Sequence, residues 1–265
     1  MRLRLSSVYK EVKAVNLERI RACINLHAIL RNLEDLGDLD DDARTLLAGH
    51  DLRIGMHVPG IEPLTLAVKD GAIRAKRGSE AGSLRLQFAS PRHFNGMVGG
   101  SSMPLPTGGF KHLGFLKGNF AALAKDLEKY LRPGADDLKD PAFRDKNTRL
   151  TASAAMYALS EIANADPVGR QIARAMGEGT AVIEVPGVLA HAIQSKDGRL
   201  TTSRYEGQGA QAFMRFDSLD TLGQVLLGEL DSYLCIGRGQ IAISGRVPMM
   251  DNINKLLRMV SFYLA

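Results

Sequence analysis

Val58-Pro59-Gly60 and Lys69-Asp70-Gly71 return further along the chain as Val185-Pro186-Gly187 and Lys196-Asp197-Gly198, both displaced by 127 residues. Two three-residue matches at one displacement mark an internal repeat, and a repeat sets the architecture before any single element does. At a displacement of 128, Leu84-Arg85-Leu86-Gln87-Phe88 falls on Ala212-Phe213-Met214-Arg215-Phe216, and Ser90, Phe94, Met97, Val98 and Gly100 fall on Ser218, Leu222, Val225, Leu226 and Gly228. At 127 again, Gly118 falls on Gly245.

Each copy reads as the same series of elements. Helical stripes come first: Leu17, Ile20 and Ile24 after Asn16 as cap, and Leu150, Met156, Leu159 and Ile162 in a segment begun by Asn147. A shorter helix then stops at Gly49 or Gly177, where a C-terminal glycine is expected. Strands follow at Leu52 to Val58 and Thr180 to Val185, and Asp70-Gly71 and Asp197-Gly198 each lie between extended runs, the mark of a two-residue hairpin. Leu84, Leu86 and Phe88 alternate with polar residues, as in a half-buried strand. Short helices start at Ser90, followed by Pro91, and at Ser218. A last strand running to Lys117 or Ser244 and a closing amphipathic helix end each copy.

These elements predict an α+β chain with a first domain over 1–134, a linker over 135–146 and a second domain over 147–265, the boundary lying within Leu131 to Lys146, where Pro133-Gly134 and Asp140-Pro141 break the pattern. The length of 265 residues suits two domains of ordinary size, and 45% hydrophobic with 24% charged residues is a globular composition. No apolar run approaches the roughly 18 to 20 residues of a membrane span, and residues 1–15 lack the apolar core of a secretory signal. A cytoplasmic location is therefore expected. Cys23 and Cys235 are too few for a disulfide framework or a CxxC metal site.

The net charge of +5 is confined to one half: residues 1–146 hold 23 Lys and Arg against 18 Asp and Glu, and residues 147–265 hold 11 of each. A cluster at Lys69, Arg74, Lys76, Arg77 and Arg85 suits either a solvated strand face or transient contact of the first domain with an anionic membrane surface. Nucleic acid is not expected, because Trp is absent and aromatics are not interleaved with the basic residues.

Gly228-Glu229-Leu230-Asp231, then Gly239-Gln240-Ile241-Ala242-Ile243-Ser244-Gly245, then the helix Met249 to Val260 resemble the C-terminal half of the sterol carrier protein 2 (SCP2) sterol-transfer family. Glu229 stands where that family typically has Lys, and the first copy replaces the turn with Gly99-Gly100-Ser101-Ser102-Met103-Pro104. The resemblance implies two tandem SCP2-like domains, each a mainly antiparallel sheet covered by helices on one face. It also implies non-enzymatic binding of a lipid or other apolar small molecule in a tunnel, without a cofactor. Its walls would be Leu222, Val225, Leu226, Ile241, Met249, Met250 and Ile253 in the second copy, and Phe94, Met97, Val98, Phe115, Phe120 and Leu123 in the first. Each buried ligand methylene is worth about 0.8 kcal/mol, so ten would gain roughly 8 kcal/mol before ordering costs. Flexible Met249, Met250 and Met259 suit an adaptable pocket; apolar residues at helical spacing also suit a plain core.

Catalytic signals are sparse. His27, His50, His57, His93, His112 and His191 show no HExxH spacing, and neither a GxSxG elbow nor a GxxxxGK[ST] loop is present. Two alternatives to a carrier remain: a lipid-modifying enzyme using His93 or His112 under a lid formed by Gly99 to Gly109, and a pseudo-dimeric scaffold whose apolar faces cover each other.

Overall fold

The computed structural model describes residues 16–264 apart from residues 81 and 83, so the reading of residues 1–15 lies outside the described residues. The chain is α+β, with two five-stranded mixed sheets flanked by helices. It divides into two compact units, Met1–Lys125 and Asp126–Ala265.

The first unit begins with a helical run over residues 16–39 (α1), which includes a π turn at Asn25–Ile29 and a 3-10 turn at Leu30–Asn32. α2 (Asp41–Leu47) is capped by the Asp40 carboxylate, which accepts from the Ala43 N–H at 3.0 Å, and is stopped by Gly49 at φ 74°. β1 (Leu52–His57), β2 (Leu64–Lys69), β3 (Ala72–Arg77), β4 (Leu84–Gln87), α3 (Pro91–Val98) and β5 (Leu105–Gly108) follow. The sheet order is β3-β2-β1-β4-β5, with β1 and β4 parallel and the other pairs antiparallel. Leu52, Ile54, Met56, Leu64, Leu66, Val68, Leu84 and Leu86 share one face and are exposed by 2% or less, as period-two alternation requires.

After a π turn at Leu116–Phe120, α4 (Ala121–Leu131) carries the chain across the division into the second unit. There α5 (Pro141–Ala165) and α6 (Pro167–Ala175) precede β6 (Gly179–Val185), β7 (Leu189–Lys196), β8 (Arg199–Arg204), β9 (Ala212–Phe216), α7 (Leu219–Leu226), α8 (Ser232–Gly237), β10 (Ile241–Gly245) and α9 (Val247–Leu264). The sheet order is β10-β9-β6-β7-β8. α5 is held on the outermost strand of this sheet by Asn164, whose amide donates to the Leu200 carbonyl at 2.7 Å and accepts from the Leu200 N–H at 3.0 Å.

Four strands of each sheet match residue by residue at the displacements read from the sequence. Leu52 faces Val68 as Gly179 faces Ser195, and Lys69 faces Ala72 as Lys196 faces Arg199. Across the parallel pairs, Ile54 faces Leu84 as Ala181 faces Ala212. Both hairpins turn on Asp-Gly with positive φ at both residues (52° and 73°; 52° and 69°), the primed geometry that fits the twist of paired strands. Ser90 and Ser218 each cap a short helix by accepting from the N–H three residues on, at 3.1 Å.

Three expectations change. Residues 135–146, read as a linker, hold a 3-10 turn at Asp137–Lys139 and the first residues of α5. Asp140-Pro141 is not a break but a helix start, with Asp140 accepting from the Ala142 N–H at 3.0 Å and Pro141 at the position that has no N–H to satisfy. Asn147 is accordingly inside α5, donating to the Tyr130 carbonyl at 2.6 Å. Finally, no strand runs to Lys117: the fifth strand of the first sheet is β5, within the Gly- and Pro-rich segment, and Lys117 is helical. Pro106 is tolerated because β5 is an edge strand. The pairing of Gly118 with Gly245 thus does not survive, because the fifth strands correspond at displacements of 136 and, past a bulge in the first sheet, 137: Arg85 faces Gly108 where Phe213 faces Ser244, and Leu86 faces Pro106 where Met214 faces Ile243.

Candidate functional site

In the second unit the Gly228 to Asp231 turn is a helix stop joined to a helix start. The Gly228 N–H donates to the Val225 carbonyl at 3.1 Å, those of Glu229 and Leu230 donate to Gln224 at 2.9 and 3.2 Å, and Gly228 takes φ 74°. The Asp231 carboxylate then caps α8, accepting from Tyr233 and Leu234 at 2.8 and 3.1 Å. Glu229 is exposed and gives the turn only its backbone, so the geometry does not require lysine there. The first unit forms the same stop 128 residues earlier: Gly100 donates to Met97 at 3.0 Å, Ser101 and Ser102 donate to Gly96 at 2.7 and 3.2 Å, and Gly100 has φ 74°. It then passes directly to β5, without a counterpart of α8.

These turns place the wall candidates. Leu222, Ile241, Met249, Met250 and Ile253 are exposed by 2% or less, and Val225 and Leu226 are half-buried. α9 lies on β9 and β10, and α7 lies on β9 and α5, so candidates as far apart in sequence as Leu222 and Ile253 share one interior. In the first unit Phe94 packs edge-on against Phe88 with centroids 4.9 Å apart. Phe115 and Phe120 lie 6.5 Å apart, with His50 4.6 Å from Phe115, and Asn119 ties this turn to α2 by donating to the Leu46 carbonyl at 2.7 Å. Leu123 is buried; Met97 and Val98 are half-buried.

An open groove of about 350 Å³ lies elsewhere in the second unit, between the start of α6 and the end of α9. Asp166, Val168, Arg258, Met259, Phe262 and Tyr263 line it, and of these only Met259 drew attention in the sequence. The Tyr263 hydroxyl donates to Asp166 at 2.8 Å while the other Asp166 oxygen caps α6. The sequence signal was an apolar Phe262-Tyr263 pair at the end of an amphipathic helix; Asp166, 97 residues away, carried none.

Both ring nitrogens of His93 are engaged: Nδ1 accepts from the Ala89 N–H at 3.1 Å, and Nε2–H donates to the Met103 carbonyl at 2.9 Å. That ring clamps the Gly-rich segment and has no lone pair left to act as a base in this arrangement. His27, in the π turn, is 2% exposed; its Nε2–H donates to the Glu62 carbonyl at 2.9 Å, and Nδ1 is buried without a hydrogen bond. Burial, then the Arg77 charge, push its pKa down to about 3 against the partial support of the Glu62 bond, so it is neutral. Among the described residues no group of three His, Cys, Asp or Glu is placed to hold a metal ion.

The basic cluster is largely neutralised. Arg74 pairs with Asp38 at 2.8 Å, Lys76 with Glu80, and Arg77 with Glu62 at 3.6 Å. β3 is an edge strand, where Lys and Arg discourage pairing with another chain. No described helix is long and apolar enough to cross a membrane.

No protein-family model matches the chain, and no curated protein matches it. Among solved structures it is similar to a ubiquinone synthesis protein described as UbiJ-SCP2, with 13% identity, TM-score 0.32, and 43% of this chain against 93% of that one. The sterol carrier protein domain 2 of Helicoverpa armigera aligns with 17% identity and TM-score 0.34, over 42% of this chain and 89% of that one. The inverting sec-alkylsulfatase Pisa1 from Pseudomonas sp. aligns with 12% identity and TM-score 0.25, over 55% of this chain and 28% of that one.

Proposed function

We propose that this chain is a non-enzymatic carrier of an apolar small molecule such as a fatty acyl or sterol-like lipid, built from two SCP2-like domains in tandem. The observation that carries the reading is the repeated unit: the same five-strand order, the same register across four of the strands and the same glycine stop occur in both units, and the second keeps the strand and closing helix of the resemblance. The ligand lies against α7, β10 and α9 in the second unit, where Met249 and Met250 give a wall that adapts to ligand shape. Phe94, Met97, Val98, Phe115, Phe120 and Leu123 are the corresponding wall of the first. Binding here needs no proton transfer, which accords with His93 being a clamp.

The test separates a wall from a solid core. Uptake of a fluorescent long-chain fatty acid is measured for the full chain and for Val225→Trp, at a half-buried wall position. If Val225 borders ligand space, the indole fills it: the fold is retained and uptake falls at least about tenfold. A Val225→Trp protein that takes up the probe like the parent, or a parent that takes up none, overturns the assignment.

A further inference from the structure

From Ala81 to Lys125 the chain runs 45 residues without an Asp or Glu, while carrying Arg85, Arg92, Lys111, Lys117 and Lys125. In a chain with 29 acidic residues in 265, about five would fall in a stretch of that length. None of the five cations forms an ion pair among the described residues, in contrast to the neutralised cluster on β3. The same stretch holds three of the most exposed large apolar side chains of the first unit: Met103 at 72%, Leu105 at 53% and Phe110 at 63%.

The fold gathers these features. Leu105 faces Gln87 across the β4–β5 pair, so it shares a sheet face with Arg85 two residues away. The Arg85 guanidinium reaches along β5 to within 2.9 Å of where a side chain on Gly108 would begin. Met103 is fastened to His93, beside exposed Arg92 at the start of α3, and Phe110-Lys111 follow β5 directly. Apolar tips flanked by unpaired cations, on a segment that itself carries no acid, complement a surface that is negative outside and apolar beneath; the Glu18 carboxylate that reaches α3 is taken up by the Asn95 amide at 2.7 Å. A nucleic-acid backbone would satisfy the cations but leave Met103 and Leu105 in water.

We propose that the Met103–Lys111 edge of the first unit docks on an anionic lipid membrane, inserting Met103, Leu105 and Phe110 between headgroups while Arg85, Arg92 and Lys111 meet the lipid phosphates. This docking stands independently of the carrier reading, since it uses an outer edge and needs no interior ligand.

The experiment is co-sedimentation of the full chain with phosphatidylcholine vesicles, with and without about a third phosphatidylglycerol. Each cation at an anionic surface is worth about fivefold, so the three favour the anionic vesicles by about a hundredfold. Replacing Arg92 and Lys111 together by Gln lowers anionic-vesicle binding about thirtyfold. Met103→Ser, Leu105→Ser and Phe110→Ser combined lower it at least about tenfold with an unchanged thermal melt, because all three sites are exposed. Equal binding to both vesicle types, unchanged binding by either variant, or preferential binding of duplex DNA at the same salt overturns the proposal.

Discussion

Acidification exposes the cost of keeping His27 neutral. The imidazole is 2% exposed and within reach of the Arg77 charge, and burial followed by that charge holds its pKa at about 3 although its bond to the Glu62 carbonyl acts in the opposite direction. In the unfolded chain it titrates at the ordinary value of 6.5. Above pH 6.5 neither state is protonated and the group is neutral to stability. As pH falls from 6.5 towards 3 only the unfolded state gains the proton, so stability is lost at about 1.4 kcal/mol per pH unit, or roughly 2 kcal/mol at pH 5. Other groups titrate as well, so the comparison is with His27→Gln, whose side-chain amide keeps a donor for Glu62. Urea denaturation of both proteins at pH 7, 6 and 5, followed by a reporter in the first unit, gives the difference, and the imidazole proton resonance of His27 gives the titration directly. The His27→Gln protein is expected to lose about 2 kcal/mol less than the parent between pH 7 and pH 5. Parallel pH profiles, or a His27 resonance titrating near 6.5, refute the reasoning.

Gly245→Ala is expected to destabilise the second unit by about 3 kcal/mol or more in chemical denaturation, since φ is 82° and a Cβ would meet the Gln211 carbonyl oxygen at 2.0 Å. Gly118→Ala, in a helical turn with nothing within 4 Å of the new carbon, is expected to be neutral or to stabilise by up to about 1 kcal/mol. Asn164→Ala removes both bonds to Leu200 and leaves that strand's backbone unsatisfied, costing about 2 to 3 kcal/mol and raising amide exchange at Leu200. Ser90→Ala and Ser218→Ala should each cost about 1 kcal/mol, and equal costs would show that the two caps are equivalent.

The sheets were legible in the sequence because their signals are local and chemically strict. Asp-Gly demands a primed turn, alternation at Leu84, Leu86 and Phe88 demands a one-faced strand, and the 127-residue displacement carried one register onto the other. The displacement failed where the units diverge in length, because the second inserts α8 between its glycine stop and its last strand. Gly118 and Gly245 then coincide only in spacing. Asp140-Pro141 misled for a related reason: the same dipeptide ends one element and starts the next, and only the bond from the Ala142 N–H to the Asp140 carboxylate decides between them. For the candidate site, turns and caps were readable but the groove at Asp166 and Tyr263 was not, since it depends on two residues brought together from 97 positions apart.

The central claim is that the chain carries an apolar ligand, and the most direct measurement is native mass spectrometry of the freshly purified full chain with solvent extraction of the same preparation. The account predicts a population heavier than the bare chain by the mass of a lipid, with that lipid recovered in the extract. Repeated preparations that show only the bare mass, yield no apolar molecule and take up none when it is offered would contradict it.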